Sequence, residues 1–393
     1  MREKKFHLGL LPRIIIAIGS GIGAGYVFPE WTGRIFITFN ATFSEFLGFC
    51  IPLIITGFVT IAIGEIGSRA GKMLVATALL AYVATFFAAS LSYFTGLLTF
   101  PSLLGTTDVS SAIEAEGSSL QPYFVINMPP VLDVMTALVL SFVLGLGIAM
   151  LDEKSALRRG FTELRLIIVK VIENVIIPLL PLYIFGIFLN MTVAGEVGPI
   201  LATFVKIIAV IFGIHIVVLL IQFSVAAIFS RGSKNPLKLL GTMLPAYFTA
   251  LGTQSSAATI PVTLGQAIKL GVNKDVAGFV VPLCANIHMS GSALKITACA
   301  LALMMTQGMP FDTPMFMGFI AMLGVTMVAS PGVPGGSIMA SLGILSSILG
   351  FTDADNALMI ALYIAMDSFG TACNVTGDGA LSVIIDRFFG KKQ

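Results

Sequence analysis

The chain has 393 residues, 56% of them apolar and 11% charged, with a mean hydropathy of +0.98. Soluble domains carry about 25% charged residues, so 22 Lys and Arg with 20 Asp and Glu are too few to face a globule of this size with water. A soluble enzyme and a disordered chain are both excluded, and a net charge of +2 with no long basic run leaves no footprint for nucleic acid.

The solvent is therefore lipid. Arg2, Lys4 and Lys5 precede an apolar stretch from Leu8 to Phe28, the outline of a secretory signal. Arg13 interrupts it and many spans follow, so a retained first membrane helix is expected. Crossing ~30 Å of hydrocarbon takes roughly 20 apolar residues, which predicts helices at 9–28, 34–63, 73–100, 131–151, 161–192 and 199–230. Pro52, Pro178 and Pro181 should kink the second and fifth. Basic residues mark alternate connections: the amino terminus, 64–72 with Arg69 and Lys72, 152–160 with Lys154, Arg158 and Arg159, and 231–238. Those sides are predicted cytoplasmic. The 101–130 connection, with Asp108, Glu114 and Glu116, and the 193–198 connection, with Glu196, contain no Lys or Arg and should be external. Arg34 is the one outward exception, and Arg387, Lys391 and Lys392 put the carboxyl terminus inside as well. Cys50, Cys284, Cys299 and Cys373 sit in apolar runs without a CxxC pair and read as small buried residues.

Beyond residue 235 the pattern changes. The stretch 236–270 has two apolar arms, each too short to cross, around Gly252-Thr253-Gln254-Ser255-Ser256-Ala257-Ala258, and 312–350 repeats the design around Pro331-Gly332-Val333-Pro334-Gly335-Gly336-Ser337. Non-helical backbone at membrane depth needs protein or a wet cavity around it, so both stretches are predicted to be re-entrant hairpins whose tips meet inside the protein. A long segment follows each, 276–306 and 355–386. Paired interrupted segments of this kind point to a transporter's binding site.

On the last segment, Asp367, Thr371, Asn374 and Asp378 are spaced 4, 3 and 4 apart, which places them within roughly 40° of one another on a helix. An Asp at the centre of a membrane helix costs about 2.5–3.5 kcal/mol, so this stripe calls for partners: a cation and an ammonium-bearing substrate, or a hydrogen-bonded seam between helices. In the preceding segment Asn286-Ile287-His288-Met289-Ser290-Gly291-Ser292 breaks an apolar run, and unwound backbone there would aim carbonyls at a cation. An unperturbed histidine side chain titrates near pH 6.5, which makes His288 a candidate proton carrier. For Lys295 two outcomes stand open, snorkelling to an interface and pairing with an acidic residue of the stripe. Lys206 and His215 read as structural.

In order and spacing, Gln254-Ser255-Ser256-Ala257-Ala258-Thr259-Ile260-Pro261, Val281-Pro282-Leu283, His288-Met289-Ser290-Gly291, Gly332-Val333-Pro334-Gly335 and Asn374-Val375-Thr376-Gly377-Asp378 resemble the dicarboxylate/amino acid:cation symporter family, the glutamate-transporter homologues. The resemblance implies an all-α multi-pass membrane protein with about eight transmembrane helices and two re-entrant hairpins, assembled as a homotrimer. It also implies a static scaffold (1–72 and 131–198) and a transport domain (73–130, 199–234, 235–310 and 311–393) that moves like an elevator. By the same resemblance, Ser255, Ser256, Ser292, Val333, Gly335, Ser337, Asp367, Thr371 and Asn374 would bind substrate, with Asp367 on its α-ammonium. Asp378 and carbonyls at Cys284, His288 and Asn374 would form one sodium site; Asn286, Met327, Val328 and Ser330 would form a second.

Two departures narrow the expectation. Acidic-substrate members carry Arg where this chain has Gly370, and a bidentate guanidinium is the usual grip on a side-chain carboxylate. The Asp367–Asn374 segment and Ser255-Ser256-Ala257-Ala258 instead resemble the sodium-coupled serine/threonine branch. Secondly, the family's Asn-Met-Asp is His288-Met289-Ser290 here, and the third span near Leu80 and Ala81 lacks the expected hydroxyl pair. Fewer coupled sodium ions are implied, with a proton on His288 as replacement or supplement. The expected function is sodium-coupled import of a small neutral L-amino acid across the cytoplasmic membrane, with no enzymatic activity. The rivals are a carrier of acidic amino acids or dicarboxylates using Lys295 or Gln254, a passive channel, and an intramembrane hydrolase built on His288 with Ser290 or Ser292.

Overall fold

A computed structural model describes residues 10–68, 72–104, 120–152, 154–195, 197–230, 233–330 and 335–390. Val333 and the rest of 331–334 lie outside the described residues, as do Arg2, Lys4, Lys5, Arg69, Asp108, Glu114, Glu116, Glu196, Lys391 and Lys392. The described residues are helical with no strand.

Six long helices come first: α1 (Leu10–Val27), α2 (Glu30–Ser68), α3 (Lys72–Leu103), α4 (Val134–Met150), α5 (Ala156–Val193) and α6 (Val197–Phe229). Within α5 a π turn, Ile172–Ile176, directly precedes Pro178, an extra residue being one way to accommodate a proline without an N–H. Arg34 is held by the loop it faces, donating from Nε to the Gln121 carbonyl at 3.0 Å and lying 4.3 Å from the Tyr123 ring centroid.

The second part contains two helical hairpins. Asn235 caps α7 (Pro236–Thr253), with Pro236 in the first turn; the chain reverses at Gln254, left-handed at φ 53°, and Ser255 caps α8 (Ser256–Lys269). Asn273 caps α9 (Lys274–Ile287), which continues after two non-helical residues as α10 (Ser290–Thr306). Asp312 caps α11 (Thr313–Ala329), and Gly335 at φ 75° leads into α12 (Gly336–Leu349). The hairpin arms of 18, 14, 17 and 14 residues rise roughly 21–27 Å at 1.5 Å per residue, short of a full crossing.

The final segment departs from expectation. It is two helices, α13 (Asp353–Ala365), opened by a Thr352/Asp355 capping box, and α14 (Asp367–Phe389), bent by 63°. Met366 interrupts the run, and at this point the carbonyls of Tyr363 and Met366 lie 3.5 and 3.4 Å from Lys295 Nζ. Among the described residues five helices are long and apolar enough to cross a membrane, six with this bent pair; the shorter apolar α1 and α4 complete the expected set, and the protein is a multi-pass membrane protein.

Packing falls into two groups. α2 lies along α4 and α1 along α5, whereas α3 packs on α10, and α14 on α6, α7 and α9. Where the groups meet, α12 crosses α2 and α4 at Gly343, whose Cβ would stand 2.7 Å from Ile51 and 2.8 Å from Val134. A cavity of about 380 Å³, lined by Ser44, Ile51, Tyr183, Asp353 and Asn356, opens on the same seam.

Candidate functional site

The breaks at His288–Met289 and at Met366 lie side by side, because α10 and α14 cross at glycines. A Cβ on Gly291 would stand 2.5 Å from the Gly370 carbonyl oxygen. Each break frees backbone groups that a continuous helix would pair, and side chains take them up. Asn374 Oδ1 accepts from the N–H groups of Gly291 at 2.7 Å and Ser292 at 3.4 Å. The Met289 N–H donates to Thr85 Oγ1 at 3.3 Å, and the Gly291 carbonyl meets His215 Nε2 at 3.3 Å.

Both hairpin tips reach the start of α14. Gln254 Nε2 donates to Ser368 Oγ at 2.8 Å, and the Gly335 N–H to Asp367 Oδ2 at 2.9 Å. The other oxygen of Asp367 takes Lys295 Nζ at 3.1 Å. Around this carboxylate, Asn374 Nδ2 donates to Ser292 Oγ at 3.1 Å, Ser292 Oγ lies 3.1 Å from Tyr363 Oη, and Ser337 Oγ lies 3.2 Å from Ser330 Oγ. Met289 Sδ fills the space between Asn374 Nδ2 at 3.3 Å and Ser337 Oγ at 4.0 Å. Buried polar groups are stable only when partnered, and this set is closely knit.

About three turns beyond Asp367 along α14 a second cluster forms, at Asp378. His288 Nδ1 lies 2.9 Å from Asp378 Oδ1, while its Nε2 lies 2.7 Å from Ser290 Oγ. Gln222 of α6 donates from Nε2 to Ser290 Oγ at 3.2 Å, and its Oε1 is buried with no partner. With Nδ1–H on Asp378, the hydrogen bonds run in one direction: Gln222 to Ser290, Ser290 to His288, His288 to Asp378.

Of the substrate candidates, Ser292, Gly335, Ser337, Asp367 and Asn374 come together, with Thr371 buried on α14 between the clusters. Ser256 is buried beside the first tip, but Ser255 is half-buried and its hydroxyl caps α8 by accepting from the Ala258 N–H at 3.3 Å. Of the cation candidates, Cys284 offers a carbonyl that already accepts from the His288 N–H at 2.9 Å. Met327, Val328 and Ser330 lie at the carboxyl end of α11, the end that favours a cation, although the Met327 carbonyl already accepts from the Ser330 N–H at 3.2 Å. Asn286 points away; its side chain is exposed and bonds the Pro282 carbonyl of its own helix at 3.0 Å.

The third span has no hydroxyl at Leu80 or Ala81, but one turn beyond them it presents a single hydroxyl to the break, from Thr85. Sequence reasoning also passed over Gln222 and Tyr363. An amide interrupting the apolar run Ile216-Val217-Val218-Leu219-Leu220-Ile221 was the signal for Gln222, since polar side chains at membrane depth are costly. His215, read as structural, touches the break directly, and Lys206 bonds the Leu103 carbonyl at 2.6 Å.

The family model described as the sodium:dicarboxylate symporter family matches residues 10–388. The chain is similar to the serine/threonine transporter SstT of Acinetobacter baumannii, at 29% identity over 401 residues and 98% of each chain. The protein of the same name from strain AYE is 28% identical over 401 residues, again covering 98% of each. With its broken helices and paired hairpins accounted for from residue 10 to residue 388, the chain belongs to the sodium:dicarboxylate symporter family.

Proposed function

We propose that the protein imports a small neutral L-amino acid of the serine, threonine and alanine type with sodium across the cytoplasmic membrane. The observation that carries the substrate class is the space beside Gly370. A Cβ there would stand 2.7 Å from Lys295 Nζ, so the place from which acidic-substrate members extend an arginine is filled by a lysine already paired to Asp367. The serine/threonine transporters named among the relatives support the same class.

In this reading Asp367 receives the substrate's α-ammonium, Ser292, Thr371 and Asn374 its remaining polar groups, and Ser256, Val333, Gly335 and Ser337 close over it from the two tips. Asp378 and the carbonyls of Cys284, His288 and Asn374 take one sodium ion; the carbonyls of Asn286, Met327, Val328 and Ser330 take a second as the second hairpin closes. His288 already engages one oxygen of Asp378, which supports a low sodium count with a proton on His288 as its alternative. The group of α1, α2, α4 and α5 acts as the scaffold of a homotrimer, and the rest moves as an elevator, with both termini in the cytoplasm. The membrane potential contributes about 2.3 kcal/mol per charge per 100 mV.

Uptake of labelled serine into proteoliposomes tests this. An inward sodium gradient should drive it, and threonine and alanine should compete where excess aspartate and succinate do not. Uptake indifferent to sodium and driven by a pH gradient overturns the coupling; competition by aspartate or succinate overturns the substrate class. One geometry favours a second reading: Ser290, His288 and Asp378 are connected as in acyl-transfer triads. All three are buried, at 0%, 0% and 1% exposure, and labelling of Ser290 by a fluorophosphonate is the outcome that would favour hydrolysis.

A further inference from the structure

The Lys295 ammonium is buried, 0% exposed, on the second turn of α10. Its ammonium is held from several sides: by Asp367 Oδ1 at 3.1 Å, by the carbonyls of Met366 at 3.4 Å and Tyr363 at 3.5 Å, and by the Tyr363 ring, whose centroid is 3.4 Å away. The Tyr363 carbonyl belongs to the last turn of α13, the negative end of its helix dipole, and the ring face attracts a cation in its own right. Glycine at 370 is what admits the side chain, because a Cβ would stand 2.7 Å from Nζ and 2.8 Å from Cε. With Gly335 N–H on Oδ2, both oxygens of Asp367 are engaged by the protein itself, and one partner is a primary ammonium, the same group that an amino acid would bring.

We infer that Lys295 is a tethered counter-ion for Asp367. In the substrate-free carrier its ammonium neutralises the carboxylate; in the loaded carrier the substrate's α-ammonium takes Asp367 Oδ1, while the Tyr363 ring and the two carbonyls retain Lys295. The substrate site then has no net charge on either leg of the cycle, since a lysine, a carboxylate and a zwitterion sum to zero just as the lysine and the carboxylate do. A bare carboxylate is costly at membrane depth, so the tether serves the return of the empty carrier above all. The assignment makes Lys295 a positioning and charge-balancing group rather than a ligand of the substrate, and it rests on the proposed amino-acid transport.

Two fluxes separate the possibilities. Homoexchange of serine between loaded faces needs no empty carrier, whereas net uptake does. In proteoliposomes of Lys295→Met the ratio of net uptake to exchange should fall at least tenfold relative to the unaltered protein. Lys295→Gln, which keeps hydrogen bonding to the two carbonyls without the charge, should show the same fall and serves where the methionine variant is not monodisperse. A ratio within twofold of the unaltered protein, whether both fluxes hold or both drop together, overturns the counter-ion assignment and leaves Lys295 structural or on the substrate carboxylate. Absence of serine exchange in the unaltered protein refutes the transport reading instead.

Discussion

The first six helices and the region from residue 233 onward use the same apolar alphabet for opposite ends. In Lys72–Leu103 and Phe204–Phe229 an 18-residue window is only 33% buried, whereas in Lys274–Thr306 it is 100% buried. A helix that shows a face to lipid cannot carry polar side chains there; one enclosed by protein can, provided each finds a partner. Enclosure is therefore what permits Asp367, Asp378, His288 and Lys295 to exist at membrane depth. The hairpins supply much of it, being too short to span and so available to pack around the broken helices.

The largest expected effect comes from removing one half of the enclosed ion pair. Asp367→Asn leaves Lys295 buried without its carboxylate, and loss of a partner in a buried pair costs about 3–5 kcal/mol. Serine uptake should vanish, and unfolding in detergent should shift accordingly; a variant that keeps full stability would mean water reaches Lys295 and the enclosure is not real. Gly370→Ala comes next. A methyl group at 2.7 Å from Lys295 Nζ overpacks the crossing by about 1–3 kcal/mol, measurable as a lower melting temperature with weaker serine binding. At the seam, Gly343→Val should press on Ile51 and Val134 and slow uptake by roughly tenfold, about 1.4 kcal/mol in barrier, while serine binding by calorimetry stays as it was. The smallest effect belongs to the lipid-facing region: Leu79→Ala, at a side chain 62% exposed, should change stability by no more than about 0.5 kcal/mol. If that substitution rivals Gly370→Ala, the contrast between the two regions fails.

Much of this arrangement was legible in the residues. The interrupted stretches around Gln254 and Gly335 announced the hairpins, and the 4, 3 and 4 spacing put Asp367 to Asp378 on one helix. What stayed hidden has a common physical cause: it depends on which helices lie alongside. Ala365-Met366-Asp367 contains no glycine or proline to mark a break, and the bend lies where two carbonyls meet a lysine some 70 positions earlier in the chain. Lys295 itself allowed either snorkelling or pairing until α14 was placed beside it. That Thr85 faces the break depends on the axial register of α3 against α10, which the order of motifs along the chain leaves open. Gln222 interrupts an apolar run of α6 and acquired meaning only through Ser290.

The four cysteines carry an experimental consequence. All are buried, and Cys284, Cys299 and Cys373, at 0%, 1% and 0% exposure, sit on α9, α10 and α14, the helices that flank the two breaks. Cys50 lies on α2, in the other packing group. A thiol reagent can reach any of them only through local opening, so alkylation rates of the unaltered chain, resolved by peptide, time the opening of the enclosed helices against that of α2. Sodium and serine should then slow modification of the first three and leave Cys50 unaffected, which gives an occupancy gauge that needs no introduced label.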